Sequence, residues 1–586
     1  MSDESNLSGV EKIKRESHHL RGTIAEELKN AEPAFGKETE QLVKHHGFYQ
    51  QHDRDRRGET GPDGKRLGKA YSMMVRTKLP GGRLSARQML DEIELCERYG
   101  NGDLRLTDRQ GIQIHGILKG NVKATIRAIC EAQMTTLGAC GDVCRNVLSC
   151  PAPYRNNRVR DEMHAMARRI SDHLLPRSKA YSEIWLTDPE TGEKELAGGT
   201  DSEVIEPLYG DTYLPRKFKV AMALPEDNCV DVYTNDLGFV AIVENDRIAG
   251  YNVLVGGGMG VTPSNKNTFP AVAQPLAFVT PENVLRAVEA VVKTQRDFGD
   301  RSDRKRARMK YLIHDWGLDK FRAKVEEYYG EPLAAPRPVA EAGVEDHIGW
   351  HEQGDGRWFY GLHIDNGRVI DRDGCQLKTA IRRVCEQLEP NLSITAHQSL
   401  LFADVAPEQR GQLEAILREN GVKLDGEISE VRRWSIACVA LPTCPLAVTE
   451  SERVMPDVMA QLEADLRRLG LENEKFTVRM TGCPNGCARP YNADIGLVGK
   501  TKNKYTIYLG GTLRGDRLAF IYRDVVPLEE LAAALVPVLA YFKRDRSEGE
   551  TLGDFCHRKG AEDLLGFAEN CSEGELSGLA GLSERP

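Results

Sequence analysis

The sequence lacks the apolar segments that would place it in or across a membrane. Its 586 residues are 40% hydrophobic and 28% charged, and no apolar run is long enough to span a bilayer. The first twenty residues are polar and of mixed charge, without the apolar centre of a secretory leader. We therefore expect a cytoplasmic protein of roughly three to four domain-sized units, with no membrane partner.

An excess of positive charge and a nucleotide-binding fingerprint are also missing. The formal net charge of −9 gives no global field that attracts phosphates, so we expect no nucleic acid partner. The segment DIGLVGKT (494–501) has Asp494 where a phosphate-binding loop requires glycine. VGGGMG (255–260) lacks the dinucleotide-binding spacing and predicts a turn with close backbone packing. An oxidoreductase with this sequence would therefore take its electrons from another protein.

Cysteine is abundant, with 14 residues, and a cytoplasmic location predicts reduced thiols rather than disulfides. Two pairs stand out, at C-x5-C and C-x3-C spacing: Cys438 with Cys444, and Cys483 with Cys487. The segment between the pairs predicts a helix from apolar residues at helical spacing: Val454, Val458, Leu462, Leu466 and Leu469. Four thiolates on two loops bind zinc or an iron–sulfur cluster, and the loose first pair with flanking glycine and proline favours the cluster.

The other cysteines have weaker signals. Cys140 and Cys144 repeat the C-x3-C spacing, but no second pair lies nearby in sequence and Asp142 adds negative charge. We interpret this loop as carrying two free thiols, and the roles of these two residues and of Cys150 stay open. Single cysteines among apolar or helical neighbours are predicted to be small core residues: Cys96, Cys130, Cys229, Cys375 and Cys385.

The chain contains an internal repeat. LRLTDRQGIQIHGIL (104–118) resembles LSITAHQSLLFADV (392–405), and a Gly-Arg-hydrophobic turn precedes each, at 80–85 and 365–370. The repeats lie 285 residues apart at the turns and 288 at the strands. One βαβ-type module used twice predicts a pseudo-twofold molecule. The proline-rich run at 331–346 is the predicted linker between the halves.

Polar and apolar residues alternate in the first repeat. If 104–118 is a strand, its even-numbered face is apolar and its odd-numbered face is cationic and hydrogen-bonding. A solvated face is the usual interpretation of such alternation, but two arginines with little neighbouring acid favour an anionic ligand. The residues of this row are Arg105, Thr107, Arg109, Gln113 and His115.

Further basic residues extend the same indication. Lys217 and Lys219 share one face of a second predicted strand. Arg76 and Arg145 lie in two other segments, earlier in the chain. The basic run at 296–311 predicts a helix. Together these sets indicate large, highly anionic ligands.

The paired cysteine motifs, the duplicated module and LTDRQGIQIHG together resemble the siroheme-dependent sulfite and nitrite reductases. The segments EKIKRESHHLRGTIAEEL (11–28), LPRKFK, LVGGGMG and TQRDFGDRSDRK are most similar to the bacterial assimilatory sulfite reductase haemoproteins, the beta components. The resemblance covers nearly the whole chain. It implies an α+β (mixed α/β) fold, with pseudo-twofold duplicated ferredoxin-like modules and two larger mixed α/β domains that bind siroheme and the cluster.

The resemblance also implies an order of domains along the chain. Six segments follow one another: an N-terminal arm for partner docking (1–68), a first ferredoxin-like repeat (69–150), a siroheme and substrate domain (151–330), a linker (331–346), a second ferredoxin-like repeat (347–424) and a cluster and siroheme domain (425–586).

The site residues follow from the same resemblance. It implies a 4Fe–4S cluster on the four paired cysteines, with the Cys487 thiolate bridging the cluster to the siroheme iron. The odd-numbered row would bind the carboxylates of siroheme. The sulfite oxygens would be bound by four cationic side chains: Arg76, Arg145, Lys217 and Lys219. The implied reaction is the six-electron reduction of sulfite to sulfide, in sulfate assimilation and cysteine biosynthesis.

Two alternatives remain open at the level of sequence. The first is an assimilatory siroheme nitrite reductase that converts nitrite to ammonia, because the same cationic pocket suits both anions. The second is an iron–sulfur electron carrier or a zinc-stabilised scaffold without haem. The resemblance implies an NADPH-dependent flavoprotein subunit as electron donor, with ferredoxin as the alternative.

Overall fold

The computed structural model describes residues 6–178, 184–198, 206–339 and 343–571. Residues 340–342 of the predicted linker, and both ends of the chain, lie outside the described residues. Within the described part, helices surround four five-stranded sheets, and two two-stranded sheets complete the strands. No helix in these ranges is long and apolar enough to cross a bilayer.

The helices, in chain order, are α1 (Gly9–Glu16), α2 (Ile24–Glu27), α3 (Lys37–Leu42), α4 (Ala86–Arg98), α5 (Val122–Glu131), α6 (Arg158–His173), α7 (Val284–Phe298), α8 (Met309–Trp316), α9 (Leu318–Tyr329), α10 (Leu377–Leu388), α11 (Arg410–Glu419), α12 (Glu430–Arg433), α13 (Met455–Leu469), α14 (Leu531–Asp545) and α15 (Leu552–Asn570).

The strands are β1 (Phe48–Asp53), β2 (Ala70–Thr77), β3 (Arg83–Ser85), β4 (Leu104–Leu106), β5 (Ile112–Ile117), β6 (Cys144–Ser149), β7 (Ile184–Thr187), β8 (Lys194–Gly198), β9 (Phe218–Ala223), β10 (Leu237–Glu244), β11 (Arg247–Val255), β12 (Gln274–Val279), β13 (Gly349–Glu352), β14 (Trp358–Leu362), β15 (Arg368–Val369), β16 (Asp371–Arg372), β17 (Cys375–Gln376), β18 (Asn391–Ile394), β19 (Leu400–Val405), β20 (Ser435–Ala437), β21 (Val478–Thr481), β22 (Ile495–Thr501), β23 (Lys504–Leu509) and β24 (Phe520–Pro527).

The predicted duplication is visible as a reciprocal exchange of strands. The first module forms the sheet β1-β2-β5-β4-β15, and the second forms β13-β14-β19-β18-β3. Each Gly-Arg turn therefore sends a short strand into the sheet of the other module, with Val369 opposite Leu104 and Leu392 opposite Leu84. α4 and α10 pack together, and residues of both modules share one hydrophobic core.

The two larger sheets carry the rest of the chain. One has the order β12-β11-β10-β9-β6 and the other β20-β21-β22-β23-β24. The predicted helix between the cysteine pairs is confirmed as α13, which begins with Pro456 in its first turn and ends at Gly470 in a left-handed conformation. Its apolar face, with Leu462 and Leu466, is buried against the second sheet.

Three expectations are wrong, two about secondary structure and one about the burial of cysteines. Residues 104–118 form a β4–β5 hairpin rather than one strand, because residues 107–111 turn the chain. Arg105 lies directly opposite Gln113, so the odd-numbered residues still share a face. The run 296–311 is mostly a turn between α7 and α8, since Gly299 and the aspartates beside it end α7. Among the single cysteines, Cys130 is exposed and Cys375 half-buried, whereas the other three are buried.

Candidate functional site

The paired cysteines lie on two neighbouring loops. β20 and β21 are parallel neighbours, with Ser435 opposite Val478, so their carboxyl ends meet at the same edge of the sheet. Val448 N donates to Gly482 O at 2.8 Å and fixes one loop on the other. The loop after β20 carries the first cysteine pair and the loop after β21 the second: Cys438, Cys444, Cys483 and Cys487.

The four thiols are close enough to influence one another. Burial raises the pKa of Cys438, and the charges of the three other cysteines raise it further. Burial and the charge of Cys487 raise the pKa of Cys483 to about 11. Four thiolates in this space would repel one another, and a multiply positive metal cluster would offset that repulsion. Cys487 is the exposed member of the set.

Glycines allow the cysteine loops to pack closely. A Cβ atom on Gly482 would lie 2.5 Å from Thr449 O, and Gly486 has a φ of +60°. The turn predicted at 255–260 packs against this second loop, where Val261 N donates to Pro484 O at 2.9 Å. Its expected close backbone packing is therefore confirmed.

Lys217 and Lys219 are close enough to Cys487 to interact with its charge. Lys217 immediately precedes β9 and Lys219 lies within it, and both side chains are half-buried. Burial and the charge of Arg145 lower the pKa of Lys217 well below its usual value. Burial and the charge of Arg109 lower the pKa of Lys219 to about 7. The charge of Cys487 acts on both lysines in the opposite direction, so the exposed thiol lies near enough to interact with both amines.

Arg76 and Arg145 add two positive charges to this group, and both interact with Tyr49. Arg145 Nη2 lies 3.3 Å from the Tyr49 hydroxyl, and Arg76 Nη1 lies 3.1 Å from Cys140 Sγ. Burial raises the pKa of Tyr49, while the charges of both arginines oppose that rise. The structure thus brings all four predicted sulfite-binding residues into one electrostatically connected group.

The predicted siroheme-binding row divides into two groups. Arg105 already donates to Glu452 and to Ala437 O, and the Thr107 hydroxyl accepts from Gly111 N within its own turn. Gln113 lies opposite Arg76 in the sheet. Arg109 donates through its Nη atoms to Asn235 and Asn146, and His115 Nδ1 pairs with Gln51. Arg109 Nε and His115 Nε2 are buried and have no hydrogen-bond partner in the described part of the chain.

Sequence reasoning missed residues that hold the cluster loops in place. Arg54 of the N-terminal arm donates to Cys444 O and Ala447 O, a contact across about 390 residues that no local pattern predicts. A buried Asp231 pairs with Arg479 at 2.7 Å and Arg489 at 2.6 Å, which ties the two larger sheets together. Asp231 and Arg479 lie 248 residues apart in the sequence, so no local pattern predicts this network.

Comparison with known proteins shows to which protein family this chain belongs. The family model described as "Nitrite and sulphite reductase 4Fe-4S domain" matches residues 165–333 and 430–573, and the second segment contains all four paired cysteines. The "Nitrite/Sulfite reductase ferredoxin-like half domain" matches twice, at 66–132 and 351–420. The chain belongs to the nitrite and sulphite reductase family. The resemblance drawn from the sequence and the duplicated ferredoxin-like fold are thereby confirmed.

Individual members of the nitrite and sulphite reductase family match over nearly the full chain. Sulfite reductase [ferredoxin] of Synechococcus elongatus is 43% identical, covering 96% of this chain and 91% of that protein. The sulfite reductase [NADPH] hemoprotein beta-component of Myxococcus xanthus is 45% identical, covering 94% and 97%. The structure of Mycobacterium tuberculosis NirA superposes with a TM-score of 0.76 at 26% identity, covering 95% and 97%.

Proposed function

We propose that this chain is the haemoprotein of an assimilatory sulfite reductase, which reduces sulfite to sulfide with six electrons. The observation that carries the proposal is the four-cysteine site at the edge of a sheet, whose exposed Cys487 lies near enough to Lys217 and Lys219 for its charge to act on both. The names of the relatives agree with the reaction predicted from the resemblance. The family match agrees with a 4Fe–4S cluster.

The residues present fit both cofactors. Cys438, Cys444, Cys483 and Cys487 would hold the cluster, and the last would also reach the siroheme iron because it alone among them is exposed. Siroheme carries many carboxylates, and the unpaired buried nitrogen atoms Arg109 Nε and His115 Nε2 offer hydrogen-bond donors for them. An apolar cofactor would leave these groups unsatisfied.

The side chains of the cleft supply charge and protons. When bound, the siroheme and cluster supply electrons to sulfite. Lys217, Lys219 and Arg145 would hold the negative sulfite oxygens and stabilise the charge that develops on them. Each oxygen leaves as water, so protons are needed too, and the lowered pKa of Lys219, about 7, lets its ammonium group release one near neutral pH.

The electron donor is proposed to be an NADPH-dependent flavoprotein subunit that reaches the cluster beside the N-terminal arm. Arg54 of the arm contacts the loop of Cys444, and the same loop exposes two apolar side chains, Leu446 (64% exposed) and Val448. Leu446→Glu should weaken donor-linked sulfite turnover and leave dye-linked turnover unchanged. Comparing purified flavoprotein with ferredoxin as donor decides between the two partners. We also propose a cytoplasmic location, which suits the 14 free cysteines.

The substrate is tested by steady-state turnover with a small reduced dye as electron source. We expect a larger kcat/KM for sulfite than for nitrite. The nitrite alternative is supported by the family to which the chain belongs, which is named for both anions. A larger kcat/KM for nitrite would contradict the proposed substrate while leaving the cofactor assignment intact.

A further inference from the structure

Four buried side chains with metal-binding atoms meet outside the four-cysteine site. They are Cys150, Asp227, Cys229 and His347, whose ligand atoms all lie within 4.8 Å of one another. They come from the segment after β6, the turn between β9 and β10, and the segment before β13. None of them belongs to the cationic cleft or to the four-cysteine site.

The spacing of these atoms is close to that of a tetrahedral zinc site. Cys150 Sγ lies 3.6 Å from His347 Nε2, and His347 Nε2 lies 3.1 Å from Asp227 Oδ2. Zinc bound at about 2.0–2.3 Å places its ligand atoms about 3.3–3.8 Å apart. Tetrahedral zinc holds a sulfur and an oxygen ligand about 3.5 Å apart, so the distance of 2.8 Å between Cys150 Sγ and Asp227 Oδ2 would have to lengthen by roughly 0.7 Å through side-chain adjustment.

We propose that Cys150, Asp227, Cys229 and His347 bind one structural zinc ion. Two thiolates and an imidazole favour zinc over calcium or magnesium, which prefer oxygen ligands. Four protein ligands in a fully buried position leave no place for a substrate or a reactive water, so the site is structural rather than catalytic.

The surroundings match such a centre. Zinc with two thiolates and one carboxylate has a net charge of −1, and Arg160 supplies the balancing charge. Arg160 Nη1 lies 2.8 Å from Cys150 Sγ and 3.8 Å from Asp227 Oδ2. Cys229 N donates to Asp227 Oδ1 at 3.1 Å and orients the carboxylate.

The thiol chemistry is also suitable. Burial raises the pKa of Cys150, but a hydrogen bond from Cys229 and the charges of Arg160 and His347 outweigh it and bring the pKa to about 6. Cys150 is therefore ready to bind as a thiolate. Zinc binding would release the protons that the thiols and the imidazole carry in its absence.

A zinc ion here would fasten the start of the second ferredoxin-like module to the β6–β9 sheet. His347 directly follows the predicted linker, whereas its three partners belong to segments about 120 to 200 residues earlier. Metal binding in the folded state alone would stabilise this junction by mass action.

The test is the metal content of the purified holoenzyme, with zinc and iron measured on the same sample. We expect about one zinc per chain. Cys229→Ser and His347→Gln should each lose most of the zinc and keep the iron. Cys385→Ser, which changes a buried thiol in the ferredoxin-like core, is the matched control and should keep both metals.

X-ray absorption at the zinc edge of the wild-type protein keeps the test independent of how the variants fold. Two sulfur neighbours at about 2.3 Å with two lighter neighbours would support the site. A wild-type holoenzyme that contains no zinc, even after incubation with zinc and dialysis, would overturn the proposal and leave a metal-free hydrogen-bonded network around Arg160. Zinc retained in both ligand variants would overturn it as well.

Discussion

The loops at 140–144 and 483–487 have the same C-x3-C spacing but lie in different surroundings. Cys140 and Cys144 are both buried, and Asp142 between them pairs with Arg304 at 2.7 Å. The loop at 483–487 instead joins a second cysteine pair at the edge of a sheet and exposes one thiol. The spacing therefore permits a metal site, but the neighbouring strand decides whether one forms.

The charges around the two loops differ in the same way. Asp142 also lies 3.7 Å from Lys14, so its carboxylate is neutralised by side chains distant in sequence. Near Cys487, by contrast, Lys217 and Lys219 are accompanied by Arg145 and Arg109, whose positive charges lower the pKa values of the two lysines. One loop therefore fastens the N-terminal helix to the core, and the other is proposed to bind the cluster.

Cys487→Ser should have the largest effect. A serine oxygen is a poor bridge between soft metal centres. Loss of a direct ligand should exceed the 10–100-fold loss typical of second-sphere changes, so sulfite turnover should fall by more than about 100-fold. Steady-state turnover and the absorption spectrum check this result together. Wild-type turnover with an intact cluster–haem spectrum would show that Cys487 is not the axial ligand.

Asp142→Asn tests the structural role of the first loop. Removing one partner of a buried ion pair leaves uncompensated charge, so unfolding should become easier by about 3–5 kcal/mol. The pKa of Asp142 is lowered by Arg304 and Lys14 against the effect of burial. Its contribution to stability is therefore complete above about pH 4 and decreases as the pH falls further.

The midpoint of urea unfolding, measured at neutral pH and below pH 4, checks this prediction. Asp524→Asn is the control, because Asp524 and Lys500 form an exposed ion pair at 3.0 Å worth less than about 1 kcal/mol. Equal midpoints for the two variants would remove the structural distinction between the loops.

Lys217→Met and Lys219→Met test the cations that face the second loop. Loss of one charge-assisted contact costs about 1.5–3 kcal/mol, or a roughly 10- to 150-fold fall in kcat/KM for sulfite. Both cofactors should remain. Lys219→Arg keeps the charge but cannot release a proton, so it should recover KM more than kcat. Normal sulfite kinetics in both methionine variants would mean that the two lysines are only polar residues on one face of a strand and do not bind sulfite.

Cys140→Ser should have the smallest effect. The change removes a buried thiol beside Arg76 and leaves the cluster loops untouched, so iron content should equal that of the wild type. Iron analysis of the purified variant is sufficient. A loss of cluster iron would show that the pair Cys140 and Cys144, rather than Cys483 and Cys487, belongs to the metal site.

Local patterns in the sequence were sufficient for α13, the cysteine pairs and the duplication. They failed where the fold depends on contacts between distant segments. The hairpin at 104–118 kept the alternation of a single strand, because opposite residues of a hairpin share a face. The exchange of β3 and β15 between modules, the contact of Arg54 with the cluster loop and the meeting of Cys150 with His347 all join residues far apart in sequence.

The absorption spectrum of the purified protein tests the central claim most directly. A siroheme coupled to a 4Fe–4S cluster predicts the visible bands of the haem, together with about five iron atoms per chain. Visible bands that shift when sulfite is added would also show that the anion reaches the cleft. A colourless protein, or one with cluster absorption but no haem bands, would contradict the account.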